Sequence, residues 1–145
     1  AWLTHGRIGR SRIDDLVHEL NEQVSKQIDC CACANCCRTS YVEVRKKDIL
    51  RIAKALGKTK AAVVREHLDF NVEEESYWLK GLPCKFLIDN KCSIYDARPD
   101  DCRSFPHLHK KDFPGRSLTA VENCSVCPIV YNVFERLKER LHWRP

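Results

Sequence analysis

Residues 28–40 read IDCCACANCCRTS, with five cysteines in eight consecutive positions and only alanine and asparagine between them. After Ile28 such a stretch offers the chain no large apolar side chains, so the use made of its thiols decides how the surrounding segments fold. Disulfides, a metal and redox chemistry are the three candidates. The remaining cysteines must fit the same answer. Cys84, Cys92 and Cys102 lie in PCKFLIDNKCSIYDARPDDCRSFP (83–106), and Cys124 and Cys127 lie in NCSVCP (123–128), which brings the total to ten.

An even count in a small chain permits disulfides. Thiols one to three residues apart, however, seldom reach the Cα separation of about 4.4–6.8 Å and the dihedral that a bridge needs. A chain of 145 residues with 43% hydrophobic content can also bury a core without such staples. Metal binding accounts for the spacing directly. Cys30, Cys33 and Cys36 are spaced C-x2-C-x2-C, and Cys124 and Cys127 repeat the C-x2-C step. A zinc site would pair one such knuckle with another. An iron–sulfur cluster would take three close thiolates and one remote one, for which Cys127, followed by Pro128, is the candidate because bacterial ferredoxin runs also end in Cys-Pro. Soft thiolates suit either metal, so both readings stand, with a slight preference for iron–sulfur. In Cys30-Cys31 and Cys36-Cys37, extended backbone would send neighbouring thiols to opposite sides. Cys31 is read either as a packed thiol, since a cysteine packs as a small hydrophobe, or as a group facing a second centre.

The order C-x2-C-x2-C-C, then C-x-F-L, C-x-I-Y and R-P-x-x-C-R-x-F-P resembles the zinc- or iron-chelating domain family of YkgJ-type cysteine-cluster proteins. That family is distantly similar to flagellin lysine N-methylase. The resemblance runs from about Cys30 to Cys127 and implies chelation through Cys30, Cys33, Cys36, Cys37, Cys84, Cys92 and Cys102, with Cys124 and Cys127 as a downstream pair. In the methylase relatives it implies an iron–sulfur cluster. Cys31 is additional to the pattern, and no reaction or catalytic residue follows from the resemblance.

Phe86, Leu87, Ile94 and Tyr95 alternate with these cysteines and are expected to form a dry shell that limits solvent access. Arg98 and Arg103 are expected to offset thiolate charge, surface pairing with Asp96, Asp100 or Asp101 being the bland alternative. His107 and His109 are backup zinc ligands. HELNE (18–22) lacks the second histidine of a zincin helix and is read as surface.

Outward from the cysteines, Ile13, Leu16, Val17, Leu20, Val24 and Ile28 predict an amphipathic helix over about 11–28, capped by Ser11 or Asp14. YVEV (41–44) reads as a short extended segment. Asp48 is expected to cap a helix that carries Ile49, Ile52, Ala53 and Leu56 and ends at Gly57, and Thr59 to cap another through about Leu68. Asp89-Asn90 marks a hairpin turn. DARPDDCRSFP reads as turn or short helix, 106–119 as loop, and Pro128 as the start of a helix to about 142 with Val130, Val133, Phe134, Leu137 and Leu141 on one stripe. All cysteines are placed in loops or hairpin ends.

Nothing in the composition indicates disorder, and no apolar run approaches the roughly 20 residues of a membrane span. The opening AWLTHGRIGRSRIDDL has no apolar signal-peptide core, and the lack of any methionine suggests a trimmed N-terminus. The net charge of +5 is mild, and its basic residues are mixed with acidic ones apart from RKK (45–47) and HLHKK (107–111). Nucleic acid and membrane are therefore not expected partners, and the sequence leaves room for a protein partner without identifying one. Five glycines provide no phosphate-binding loop, and no Ser-His-Asp set is readable.

These observations predict one domain over residues 1–145, mainly α with a small β-hairpin (α+β), its irregular cysteine-rich loops organised around one or two metal centres. Such a protein is expected in the reducing cytoplasm. Two other readings are kept: an enzyme that uses an open iron or zinc position, and a zinc-stabilised interaction module.

Overall fold

The helical spacing of Ile13, Val17, Leu20 and Val24 gives α1 (Arg10–Ser25), whose buried stripe consists of those four side chains. A computed structural model describes residues 8–143, so the first seven residues of the opening segment lie outside the described part. After α1 come α2 (Cys30–Cys33), α3 (Asn35–Thr39), β1 (Glu43–Val44), α4 (Lys46–Leu56), α5 (Lys60–His67), β2 (Leu68–Asn71), β3 (Ser76–Leu79), β4 (Leu87–Ile88), β5 (Lys91–Cys92), α6 (Asp100–Ser104), α7 (Ser117–Glu122) and α8 (Pro128–Arg140). The architecture is mainly α with small antiparallel sheets. The chain forms two compact units, one comprising the segments up to Asp29 and from Pro106 onward, the other Cys30–Phe105.

In the first unit α1 packs chiefly against α8. Val17, Leu20, Val130, Val133 and Leu137 are fully or almost fully buried, each worth about 1.5–3 kcal/mol relative to exposure. Phe113 is fully buried against Phe134, with ring centroids 5.5 Å apart. Neither Ser11 nor Asp14 caps α1. Its N-cap is Gly9, and the Asp14 carboxylate instead accepts the N–H groups of Asp112 and Phe113 at 2.7 Å each. α1 stops at Ser25, three residues before the expected end. The expected loop at 106–119 is partly helical: Pro114–Arg116 is a 3₁₀ turn leading into α7. No helical period announces it, because Leu108 and Phe113 are its only large buried side chains before Ala120.

In the second unit α4 and α5 form a helical hairpin. Gly57 ends α4 in the left-handed region (φ 62°), where a side chain would be strained, and the Thr59 hydroxyl accepts the Ala62 N–H at 3.2 Å to start α5. Three strands pair antiparallel in the order β1-β3-β2, with Leu68 opposite Leu79 and Val44 opposite Tyr77. Val44, Ile52, Val63, Leu68, Leu79, Phe86 and Ile94 pack into one core cluster. Strand β2, where only Leu68 is buried, follows α5 without a break, and its short L-D-F-N pattern carries no periodic signal. Asp89 and Asn90 turn the β4–β5 hairpin with φ of 48° and 63°, the left-handed pair that a type I′ turn requires. Asp48 is not the cap of α4. The helix begins at Lys46 with Arg45 as N-cap, and Asp48 at the third helical position reaches back to accept the Arg45 N–H at 2.9 Å. No helix among the described residues is long and apolar enough to cross a membrane.

Candidate metal centre

Eight cysteines, at 30, 31, 33, 36, 37, 84, 92 and 102, belong to the Cys30–Phe105 unit, and Cys124 and Cys127 belong to the other. The first five are not in loops. They occupy two short helical turns, α2 and α3, hinged at Ala34, which is buried and left-handed (φ 49°). Adjacent thiols in a helical turn diverge by about 100° rather than alternating as in a strand, so the opposite-sides expectation for Cys36 and Cys37 gives way. The left-handed residue costs roughly 1–2 kcal/mol for a non-glycine, and Arg38 helps to hold it. The Arg38 guanidinium donates to the Cys33 carbonyl at 2.9 Å and to the Asn90 side-chain oxygen in the β4–β5 turn.

The later cysteines are brought in by backbone. The Cys84 N–H donates to the Cys37 carbonyl at 2.8 Å, and the Cys84 side chain packs on the core cluster. Cys92 ends β5 opposite Leu87. Cys102 rides on α6, a single turn clamped from α4. The fully buried Asp48 carboxylate accepts the Asp100 N–H at 3.2 Å and the Arg51 guanidinium at 2.6 Å. Arg51 in turn donates to the Arg98 carbonyl at 2.9 Å and the Asp100 carboxylate at 2.8 Å, and Lys47 pairs with the same carboxylate.

Four of these thiols lie in one another's electric field. The Cys36 hydrogen bond, aided by the Arg38 charge against the opposing effect of burial, holds Cys37 down to about 6. Burial, followed by the charges of Cys37, Cys84, Asp101 and Cys92, pushes Cys102 up to about 12. Burial also raises Cys84 and Cys92, each further raised by Cys37. Raised values keep Cys84, Cys92 and Cys102 as neutral thiols beside an ionised Cys37, and a nearby cation would favour their deprotonation.

Arg98 stacks its guanidinium 3.7 Å above the Tyr95 ring, donates to the Tyr95 carbonyl at 2.7 Å, and its charge favours the Cys92 thiolate. Arg103 donates to the backbone carbonyls of Arg98 (3.2 Å) and Asp96, while Asp100 takes Lys47 and Arg51. Phe86 and Ile94 are buried as expected of a dry shell and Leu87 is half-buried, but Tyr95 is 52% exposed and serves instead as the platform for Arg98. Arg38 and Arg51 were not singled out by the sequence, and Asp48 was read only as a helix cap. The Asp48–Arg51 spacing of three residues on a helix was the available signal for the second pair, whereas Arg38 had none.

In the other unit, Cys127 is buried at the head of α8, ahead of Pro128, with its N–H on the Asn123 carbonyl at 2.8 Å. The Cys124 thiol lies 3.8 Å from the Ala120 carbonyl and is raised by burial. His107 and His109 belong to this unit as well. Burial and then Lys110, His107, His18 and Arg116 lower His109, surroundings that disfavour a further cation. His18, in the HELNE segment, lies with its ring nitrogen 3.5 Å from the Lys110 carbonyl.

Among the described residues, no three cysteine, histidine or acidic side chains are gathered closely enough to hold an ion as they stand. Residues 29–128 match the model of the CxxCxxCC family, described as "Putative zinc- or iron-chelating domain". No curated protein and no solved structure matches the chain significantly. The family match takes in the two helical turns, the hairpin, the clamped turn and the Cys124–Cys127 pair, which is well over half of the sequence, and the chain therefore belongs to the CxxCxxCC family of zinc- or iron-chelating domains.

Proposed function

We propose that the Cys30–Phe105 unit chelates iron or zinc with Cys37, Cys84, Cys92 and Cys102 as its central donors. Cys30, Cys33 and Cys36 extend the set on the adjoining turns, and Cys124 and Cys127 supply a further C-x2-C pair. The observation that carries this reading is the folding of four sequence-distant cysteines into one unit, with the Cys84 N–H on the Cys37 carbonyl at 2.8 Å, Cys92 on the β4–β5 hairpin and Cys102 on the turn clasped by Asp48. Burial, with the Cys37 charge behind it, raises Cys84, Cys92 and Cys102. Four soft donors with a net negative field suit a thiophilic cation and little else. Ligation is expected to draw the thiolates inward by side-chain rotation, while the backbone clasps at Cys37–Cys84 and Asp48–Asp100 stay in place.

An iron–sulfur cluster is the preferred occupant because the C-x2-C-x2-C run adjoining the central donors follows the close spacing of cluster ligands. When bound it would supply one-electron chemistry. The protein's own contribution is to fix the sulfur donors, exclude water with Phe86 and Ile94, and place the Arg98 charge beside Cys92. Zinc is the second reading, favoured by the sufficiency of four thiolates for a closed tetrahedral site. Reduced thiolates are suited to the cytoplasm.

Anaerobic purification of the full chain, followed by metal analysis, acid-labile sulfide and visible absorbance, separates these readings. A brown protein with iron and sulfide supports the cluster, and a colourless one with stoichiometric zinc supports the closed site. A chain that takes up neither metal under reducing conditions overturns the proposal.

A further inference from the structure

Side chains alternate across the three-stranded sheet, so Val44, Leu68 and Leu79 face the core while their strand neighbours face away. On that second face Trp78, in the central strand, is paired with Glu43 on one side and Asp69 on the other. The indole is thus bracketed by two carboxylates. Next to it opens a groove of about 440 Å³ lined by Tyr41, Asp69, Phe70, Glu74, Trp78 and Gly81. Tyr41 is 66% and Phe70 53% exposed, an unusual display of aromatic surface on a hairpin this small. The turn that follows β2 adds the run Glu73-Glu74-Glu75, so a chain with an overall charge of +5 carries a concentrated negative patch here. The existing cations pair only distantly with these carboxylates: Lys80 lies 3.8 Å from Asp69 and gives its short hydrogen bond, 2.6 Å, to the Arg65 carbonyl instead, and Arg45 lies 3.8 Å from Glu43. Exposed pairs of this kind contribute little and are readily exchanged.

We propose that this groove receives an arginine side chain from a protein partner. Aromatic faces flanked by carboxylates are complementary to a planar cation, which can stack on Trp78 or Tyr41 while its fork pairs with Asp69 and Glu74. Lysine offers only a point charge, without stacking or bidentate geometry. An acidic segment or a phosphate would be repelled. The site is independent of the metal reading, because none of its groove-lining residues is a cysteine.

The test uses the full chain with Trp2→Phe and Trp143→Phe, so that emission reports Trp78 alone. The probes are acetyl-Gly-Gly-Arg-Gly-Gly amide and the same peptide with citrulline, the neutral isostere, or with lysine. The arginine peptide is expected to quench Trp78 saturably and to bind at least about five-fold tighter than the citrulline or lysine peptide, the size of one cation–π contact at an exposed site. Calorimetry on Trp78→Leu, and separately on the isosteric pair Asp69→Asn with Glu74→Gln, should show a similar loss with unchanged far-ultraviolet dichroism. Equal binding of the citrulline or lysine peptide, undiminished binding by both variants, or no saturation with the arginine peptide overturns the proposal.

Discussion

Replacing Asp48 with alanine tests whether the turn that carries Cys102 is held from α4. The Asp48 carboxylate is fully buried and accepts three donors: the Arg45 N–H, the Asp100 N–H and the Arg51 guanidinium. Removing it leaves two backbone N–H groups without this acceptor, at about 1 kcal/mol each or somewhat more. Arg51 keeps the Arg98 carbonyl and Asp100, and its side chain is one-third exposed, so loss of that ion pair is discounted to about 0.5–1 kcal/mol. The higher helix propensity of alanine returns a few tenths. The net loss is about 3 kcal/mol. With a urea dependence of about 2 kcal/mol/M, the midpoint should fall by about 1.5 M at unchanged slope. Equilibrium unfolding followed by far-ultraviolet dichroism, with thiols reduced and metal content matched to the parent, provides the measurement. Asp48→Asn retains one acceptor oxygen and should fall between the two. Labelling of Cys102 by a thiol reagent should accelerate in Asp48→Ala, since α6 is then released from α4. A midpoint within about 0.3 M of the parent, or a loss of stability with no change in Cys102 labelling, would show that the clasp does not position this turn.

Cys102→Ser and Cys33→Ser should each reduce the metal retained after gel filtration and lower the urea midpoint, and a normally folded, metal-replete double variant contradicts the donor assignment. Zinc affinity should climb steeply with pH near neutrality. Cys84, Cys92 and Cys102 have raised values and give up protons when metal enters, whereas Cys37, held down to about 6, is already ionised. Three released protons correspond to about a thousandfold gain per pH unit. Competition with a chromogenic chelator between pH 6.5 and 7.5 reads this gain, and a change below about tenfold removes those three thiols from the site. Asn90→Val places a β-branched residue at φ 63° and also removes the oxygen that receives Arg38. A loss of about 2 kcal/mol by urea titration is expected, while Asn90→Gly should cost less, and an Asn90→Val protein as stable as the parent discounts the turn as a determinant.

The long helices and the site differ in how far the sequence disclosed them. α1 and α8 announce themselves because four or more buried side chains recur at helical spacing, and Gly57, Thr59 and Asp89-Asn90 act through local backbone chemistry that needs no tertiary context. β2 and α7 were hidden because each buries a single side chain, too few to set up a period. The cysteines stood out as candidate donors from spacing alone, but their secondary structure did not. Two helical turns broken at Ala34 depend on a left-handed alanine, which sequence pattern does not predict, and on Arg38, whose partner lies 52 residues away. Asp48 illustrates the same limit. Its place near a helix start was evident, whereas its role as an acceptor for Asp100 comes from a contact between distant segments.

The core of the cysteine-bearing unit is assembled from Val44, Ile52, Val63, Leu68 and Leu79, all hydrocarbon side chains contributed by two helices and a sheet. That sets this molecule apart from the smallest zinc modules, which remain unstructured until the ion arrives. The polypeptide is therefore expected to keep its shape with the thiols empty, so that stripping metal with a chelator under reducing conditions should leave the far-ultraviolet dichroism largely unchanged.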